Sequence, residues 1–366
     1  MIREGDLVFL HFFDIGGEVE LKRLEGLKPK LEEYGKVWLE KLLGASWIED
    51  GMRIAAKEEA EVLGKKIYTE IKIFPIGGVL VKVTLPVKGK DFYQVHELLS
   101  KAEEEVVNHG VTISMAEFAK NLAAKIKEAI RPFTTSQYTT VDYSERYRII
   151  IVRNGDKELI DKSEKEIAGL VRREPFDRLG REEVEEIVSN RYAYRDNFLI
   201  ADIRGAFAFV NSIETFPVLR AVELFVLQKL ELRVYDSLLD EMLEKSYDIL
   251  SKAESKANRE LGERINDIHL LRLELLEIVS AMKDTRGSPR TRVFYSLCET
   301  IEEVFEVQDL ADSVTRKLDR LGEIYTMVYD SLQSTRFIRM DRTMVMLEAI
   351  IVILIVVEII LALARK

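Results

Sequence analysis

The stretch TMVMLEAIIVILIVVEIILALA, Thr343–Ala364, holds 14 Ile, Leu or Val residues and two carboxylates, Glu348 and Glu358. As a helix rising about 1.5 Å per residue it would reach ~33 Å, enough to cross a bilayer core. Each acidic residue costs roughly 2.5–3.5 kcal/mol on insertion, and the apolar residues return roughly 0.3–0.6 kcal/mol each, so insertion is favoured. The sequence therefore predicts one C-terminal transmembrane helix over 343–364, with Glu348 near one interface and Glu358 deeper as a polar contact. Arg336, Arg339 and Arg342 precede the span, and Arg365 and Lys366 follow it. The first residues, MIREGDLVFLHFF, lack the basic and apolar regions of a signal peptide. The expectation is a single-pass, tail-anchored protein in the cell membrane, with its N-terminal body cytoplasmic and the lipid bilayer as a partner.

Upstream of that run, the 366 residues carry a formal net charge of −10, which argues against broad nucleic-acid binding. Cys298 is the single cysteine, so no internal disulfide forms. Glu, Lys and Arg are abundant, as in thermophile proteins. Residues 1–153 read as a mixed α/β domain. LVFLHFF (Leu7–Phe13), IYTEIKIF (Ile67–Phe74), VLVKVTL (Val79–Leu85) and RYRIIIV (Arg146–Val152) are short, β-branched or aromatic, and bounded by turn residues. Helices are expected from Asp91 to Gly110 and from Ser114 to Ile130, where Phe118, Leu122, Ile126 and Ile130 share a face and Pro132 stops the run. Three similar segments, DIGG at Asp14–Gly17, PIGG at Pro75–Gly78 and DIRG at Asp202–Gly205, suggest hairpins whose turns need glycine at positive φ.

Residues 154–216 form a charged helical segment with a β-hairpin over Phe198–Val210. Residues 217–342 read as a long helical hairpin or coiled coil. Pro217 suits a first helical turn, a polar run covers Ser251–Arg264, and apolar spacing resumes from Ile265 to Met282 before a break at Asp284–Arg290. Val307, Val314, Leu321 and Val328 recur every seven residues, as do Leu318, Tyr325 and Leu332, the pattern of a stalk seam. The expected fold class is thus α+β: an N-terminal mixed α/β body, a helical hairpin or coiled-coil stalk, and the C-terminal span.

The segment FLIADIRGAFAFVNS (Phe198–Ser212), the helix AVELFVLQKLELRVYDSLLDEM (Ala221–Met242), and the tail with Leu347–Glu348 and Leu354–Glu358 resemble the required-for-meiotic-nuclear-division family (sporulation, YagE-like). The resemblance covers about residues 195–366. It implies a membrane-anchored protein of unknown biochemical function that tethers a partner, ribosome-related in the mitochondrial relatives.

No catalytic constellation is visible, and no cofactor, metal or enzyme activity is expected. His11, His96, His109 and His269 are scattered. His96 and His109 flank Glu103, Glu104 and Glu105 without regular ligand spacing. Cys298 falls on an amphipathic helix and reads as a small buried apolar residue. Arg131–Arg148 interleaves basic and aromatic residues, a pattern compatible with a ligand or RNA contact. The expected function is a noncatalytic scaffold, self-associating through the stalk and membrane helix and presenting its cytoplasmic domain to a protein partner. The alternatives are a component of an ion transporter or channel loosely like CorA, and an enzyme on the cytoplasmic face.

Overall fold

The computed structural model describes residues 2–19, 21–40, 51–57, 59–134, 143–153, 158, 161–194, 197–210, 215–252, 273 and 292–364. The alternating, β-branched runs become strands of a nine-stranded sheet ordered β11-β12-β13-β10-β1-β7-β6-β3-β2. Its centre is built from β1 (Ile2–Asp14), β7 (Gly78–Lys90) and β10 (Ser144–Arg153). One side continues through β6 (Tyr68–Ile73), β3 (Gly51–Ala56) and β2 (Gly35–Glu40). The other continues through β13 (Gly205–Val210), β12 (Asn197–Asp202) and β11 (Arg191–Tyr194). Every pairing is antiparallel except β10 with β13. A small second sheet joins β4 (Ala60–Val62), β5 (Lys65–Lys66), β8 (Val106–Asn108) and β9 (Val111–Ile113).

Strand alternation sends side chains to both faces, and both are buried. On one face Leu7, Phe9, Val81, Val83, Ile150, Val152 and Phe207 join a single core. That core also takes residues from α1 (Leu21–Leu31), α2 (Phe92–Glu104), α3 (Met115–Ile130), α4 (Glu164–Arg172) and α5 (Arg181–Ser189). Local signals explain two of these helices. Ser114 caps α3 by accepting from the Glu117 amide at 3.1 Å, and Asp91 and Gln94 cap α2 reciprocally at 2.8 and 3.1 Å. The opposite face holds Val8, Leu10 and Phe12, with Phe12 stacked on Phe74. Here α6 (Thr215–Lys252) brings Leu227 against Gly78 and Glu223 toward Lys72 and Lys82, both at 3.9 Å. In α7 (Arg292–Phe305), the Phe305 ring packs on Tyr147 and Cys298 is buried.

The three glycine segments have different structures. PIGG is a true hairpin turn between β6 and β7, with Gly77 at φ 103°. DIRG joins β12 to β13, yet Gly205 does not have positive φ. Instead a Cβ there would lie 3.1 Å from both the Arg148 Cγ and the Val171 carbonyl oxygen. DIGG makes no hairpin: the chain turns at Gly16 (φ 82°), Ile15 N–H donates to Gly77 O at 2.9 Å, and α1 follows. The expected second strand was lost because docking against the Pro75–Gly78 turn satisfies the backbone groups that a hairpin partner would have paired.

Residues 1–235 with 276–313 form one compact unit, and residues 236–275 with 314–366 form another. In the second unit Lys317 of α8 (Val307–Ala364) reaches Asp236 and Asp240 of α6, each at 2.7 Å. Of the expected seam, Val307, Val314, Leu318, Leu321 and Tyr325 are buried. The side chains of Val328 and Leu332 lie outside the described residues, as do residues 253–264, His269 and the break at Asp284–Arg290.

The expected C-terminal membrane span requires correction. Among the described residues no helix contains an 18-residue stretch apolar enough to cross a membrane. As far as Val352, α8 carries charged residues from Asp309 to Glu348, and each costs more to desolvate than several apolar neighbours return. The single-pass tail anchor, the cell-membrane localisation with a cytoplasmic body, and the fold class ending in a transmembrane helix are therefore not supported. Glu348 is exposed on α8. The side chains of Glu358, Arg336, Arg339, Arg342, Arg365 and Lys366 lie outside the described residues. The expected coiled coil is also unsupported. Burial from Val307 to Tyr325 spans fewer than three heptads, and Glu306, at φ 51°, separates α7 from α8. The architecture is mixed α/β, dominated by the large sheet.

Candidate functional site

Strand register creates the site. His11 of β1 pairs with Arg146 of β10, and Phe9 pairs with Arg148. Residues opposite one another in an antiparallel pair project to the same face. His11, Arg146 and Arg148 therefore converge on the face covered by α2, α3 and α4. The alternation ERYRI puts Tyr147 on the other face, where its hydroxyl donates to Asp202 O at 2.9 Å.

Three connections complete the ring. Glu103 is the penultimate residue of α2. Arg173 ends α4 in the left-handed region at φ 68°, and the chain then folds Phe176 onto Gly169, whose missing Cβ leaves room for the ring. Arg204 lies in the β12–β13 turn, 3.9 Å from Glu174. Together with Phe9, Met115, Ala116 and part of Tyr147 these residues line a cavity of about 60 Å³ that opens to solvent. That volume suits a few waters or one tetrahedral anion.

The charge is unbalanced: Arg146, Arg148, Arg173 and Arg204 face a single lining carboxylate, Glu103. Arg148 is 6 % exposed and anchored, donating to Leu170 O at 2.7 Å and lying 3.5 Å from Glu103. Burial lowers its pKa to about 10, with Glu103 opposing that shift and Arg173 adding to it, so it stays protonated at neutral pH. Arg173 also pairs with Glu103. Arg146 is exposed and pairs with no carboxylate among the described residues.

His11 is 6 % exposed, and among the described residues its Nδ1 has no hydrogen-bond partner. Burial, then Arg146 and Arg173, lower its pKa to about 3, so the imidazole is neutral. Neutral imidazole presents one donor and one acceptor nitrogen. Guanidinium groups are the preferred binders of carboxylate and phosphate, because their planar fork matches two oxygens. The arrangement can therefore hold an oxyanion. Among the described residues no Ser, Thr, Cys or Lys lines the cavity to act as a nucleophile.

Sequence reading reached only part of this site. It singled out Arg131–Arg148 as basic and aromatic, and Arg146 and Arg148 belong to that stretch, but it left His11 among scattered histidines and did not single out Arg173 or Arg204. His96 packs on Phe176 with ring centroids 5.2 Å apart, and burial and Arg148 lower its pKa. His96 and His109 do not line the cavity. Among the described residues no group of three His, Cys, Asp or Glu could hold a metal ion.

Residues 4–209 match the family described as uncharacterized protein MJ0711, N-terminal domain, and the chain belongs to that family. The matched span includes the whole arginine-lined cavity. A protein of Methanocaldococcus jannaschii, also described as uncharacterized protein MJ0711, is 23% identical over 309 residues, covering 84% of each chain. These similarities replace the resemblance to the required-for-meiotic-nuclear-division family. That likeness rested on a hairpin, an amphipathic helix and an apolar tail over residues 195–366, features that many unrelated chains share because helix and strand periodicity alone produce them.

Proposed function

We propose that the chain is a noncatalytic binding protein whose α/β unit holds a small oxyanion-bearing ligand among Arg146, Arg148, Arg173 and Arg204. The observation that carries this reading is the charge imbalance, four guanidinium groups lining one small cavity with one carboxylate. Like charges so placed repel one another, and an anion relieves that repulsion. Ligand that binds only the folded state stabilises it by about 2.7 kcal/mol at a hundred times Kd. Inorganic phosphate should therefore raise the Tm of the full chain in low-salt buffer, and equal ionic strength from sodium chloride should not. Arg146→Gln should remove most of the phosphate effect, because this arginine anchors no other described residue. An equal phosphate response in wild type and Arg146→Gln would overturn the reading.

A second reading, scaffolding through self-association, is supported by a different observation. Met344, Val345, Met346, Leu347, Ile350, Ile351 and Val352 are all about half exposed or more on one length of α8. Apart from the exposed Glu348 this length of helix is apolar all round and needs cover, which a second copy of the same segment could supply. Light scattering of the full chain and of a chain ending at residue 342 should show an oligomer only for the former. Equal masses would reject self-association through this segment.

A further inference from the structure

A second cavity lies beside the arginine-lined one. On β1, Phe13 follows His11 by two residues; on β10, Ser144 precedes Arg146 by two, and Phe13 pairs with Ser144. Side chains two apart on a strand share a face at a spacing of roughly 7 Å. Phe13 and Ser144 therefore stand next along the face that carries His11 and Arg146, and they line a cavity of about 100 Å³ that opens to solvent. Helix α3 borders both cavities. Met115 and Ala116 meet the first, and Lys120, Ala123, Ala124 and Lys127 meet the second. Strand pairing leaves the room: β13 runs beside β10 only from Arg148 onward, so among the described residues Ser144–Tyr147 have β1 alone as a neighbouring strand. The two linings differ in chemistry. Phe13, Ile15, Ala123 and Ala124 give the second an apolar wall, and the alanines, with nothing beyond Cβ, leave the space. The Asp14 carboxylate in that lining accepts from the Gly16 N–H at 3.0 Å. Lys120 and Lys127 add positive charge, which disfavours a cationic occupant.

We propose that the two cavities hold one ligand between them, an organic phosphate monoester whose oxyanion sits among the arginines and whose short apolar group fills the second cavity. This inference rests on the anion-binding reading above and adds the class of the anion's substituent. The excess of four guanidinium groups over one carboxylate favours a dianionic head over a carboxylate. A free anion would leave the neighbouring apolar wall in water, whereas a monoester covers it. Each methylene so buried is worth roughly fourfold in affinity. An apolar cavity of about 150 Å³ holds benzene, so one of about 100 Å³ admits a chain of a few carbons. Both cavities open to solvent on one face of the same strand pair, so a few single bonds bridge them.

The test is calorimetric titration of the full chain at pH 8 with methyl, ethyl, propyl and butyl phosphate, and with pentanoate. With a second pKa of about 6, every monoester is a dianion at that pH, so the series varies only in apolar length. Affinity should rise at least about tenfold from methyl to butyl phosphate. Three fully buried methylenes would give roughly sixtyfold, and the opening to solvent reduces that. Ala124→Leu fills the second cavity from an exposed helical position, where leucine is a good helix former, and should abolish the rise. Arg146→Gln should weaken every monoester by about tenfold or more, because all share the oxyanion. Pentanoate carries the same four-carbon chain on a single charge and should bind more weakly than butyl phosphate; equal binding would overturn the phosphate class. Equal affinity across the series, or a rise that survives Ala124→Leu, overturns this inference while leaving anion binding intact. Binding of none of the monoesters, or binding that Arg146→Gln does not weaken, overturns both.

Discussion

Taking the protein from pH 6.5 to pH 4 should cost the α/β unit about 3 kcal/mol through His11 alone. The imidazole has a folded pKa of about 3, set first by burial and then by Arg146 and Arg173, against 6.5 for the unfolded chain. Between those values the unfolded chain takes up a proton that the folded chain refuses. Stability from this group is therefore complete above pH 6.5 and falls as the pH drops toward 3. At ~1.36 kcal/mol per unit, the interval down to pH 4 gives the stated figure. Urea unfolding of wild type and His11→Phe at pH 6.5 and pH 4 isolates the contribution, because the other titrating groups are common to both. Parallel losses in the two proteins would show that His11 is protonated without penalty, and so that it is not enclosed by the arginines as described. Bound phosphate should blunt the wild-type loss, since an anion beside the ring offsets the two guanidinium charges that depress its pKa.

Replacing Glu231 by methionine should stabilise the protein by about 1–3 kcal/mol at neutral pH, the cost of a buried polar group left unmade. Glu231 is completely buried in α6, and among the described residues neither carboxyl oxygen has a hydrogen-bond partner. Gln228, one turn earlier and 1 % exposed, has both amide atoms in the same condition. Burial, followed by the charges of Asp14 and Glu18, pushes the Glu231 pKa well up. A carboxyl with a raised folded pKa contributes its stability below the unfolded value, near 4.5, and loses it as the pH rises through the folded value. The gain from Glu231→Met should therefore grow between pH 5 and pH 8, opposite in direction to the His11 effect. Chemical denaturation at the two pH values decides the matter: a variant less stable than wild type at pH 8 would mean that the carboxyl makes a stabilising contact.

The two residues show what a linear reading can and cannot reach. His11 falls in LVFLHFF, and its strand is legible from alternation and β-branching. Nothing in that strand says which residue of β10 stands opposite it. Glu231 lies in an amphipathic helix whose apolar spacing is equally plain, yet its carboxyl is enclosed because α6 passes close to Gly78, where a Cβ would lie 2.3 Å from the Leu227 Cδ1. The tail was misread for the converse reason. Its apolar run was read as the membrane-spanning continuation of the stalk helix; α8 is indeed one helix from Val307 to Ala364, but its described part carries charges up to Glu348 and holds no stretch apolar enough to cross a membrane.

What the sequence by itself determined is local. The capped helices after Asp91 and Ser114, the central strands, the β6–β7 and β12–β13 hairpins and the buried Cys298 all follow from periodicity, capping and turn chemistry acting within some twenty residues of chain. The nine-strand order, the parallel pairing of β10 with β13, and the convergence of His11, Glu103, Arg146, Arg148, Arg173 and Arg204 were decided only by the tertiary structure. Register between strands that are more than a hundred residues apart depends on which faces can be buried together, and a single step of slip in β10 would turn Arg146 and Arg148 away from His11 to the opposite side of the sheet.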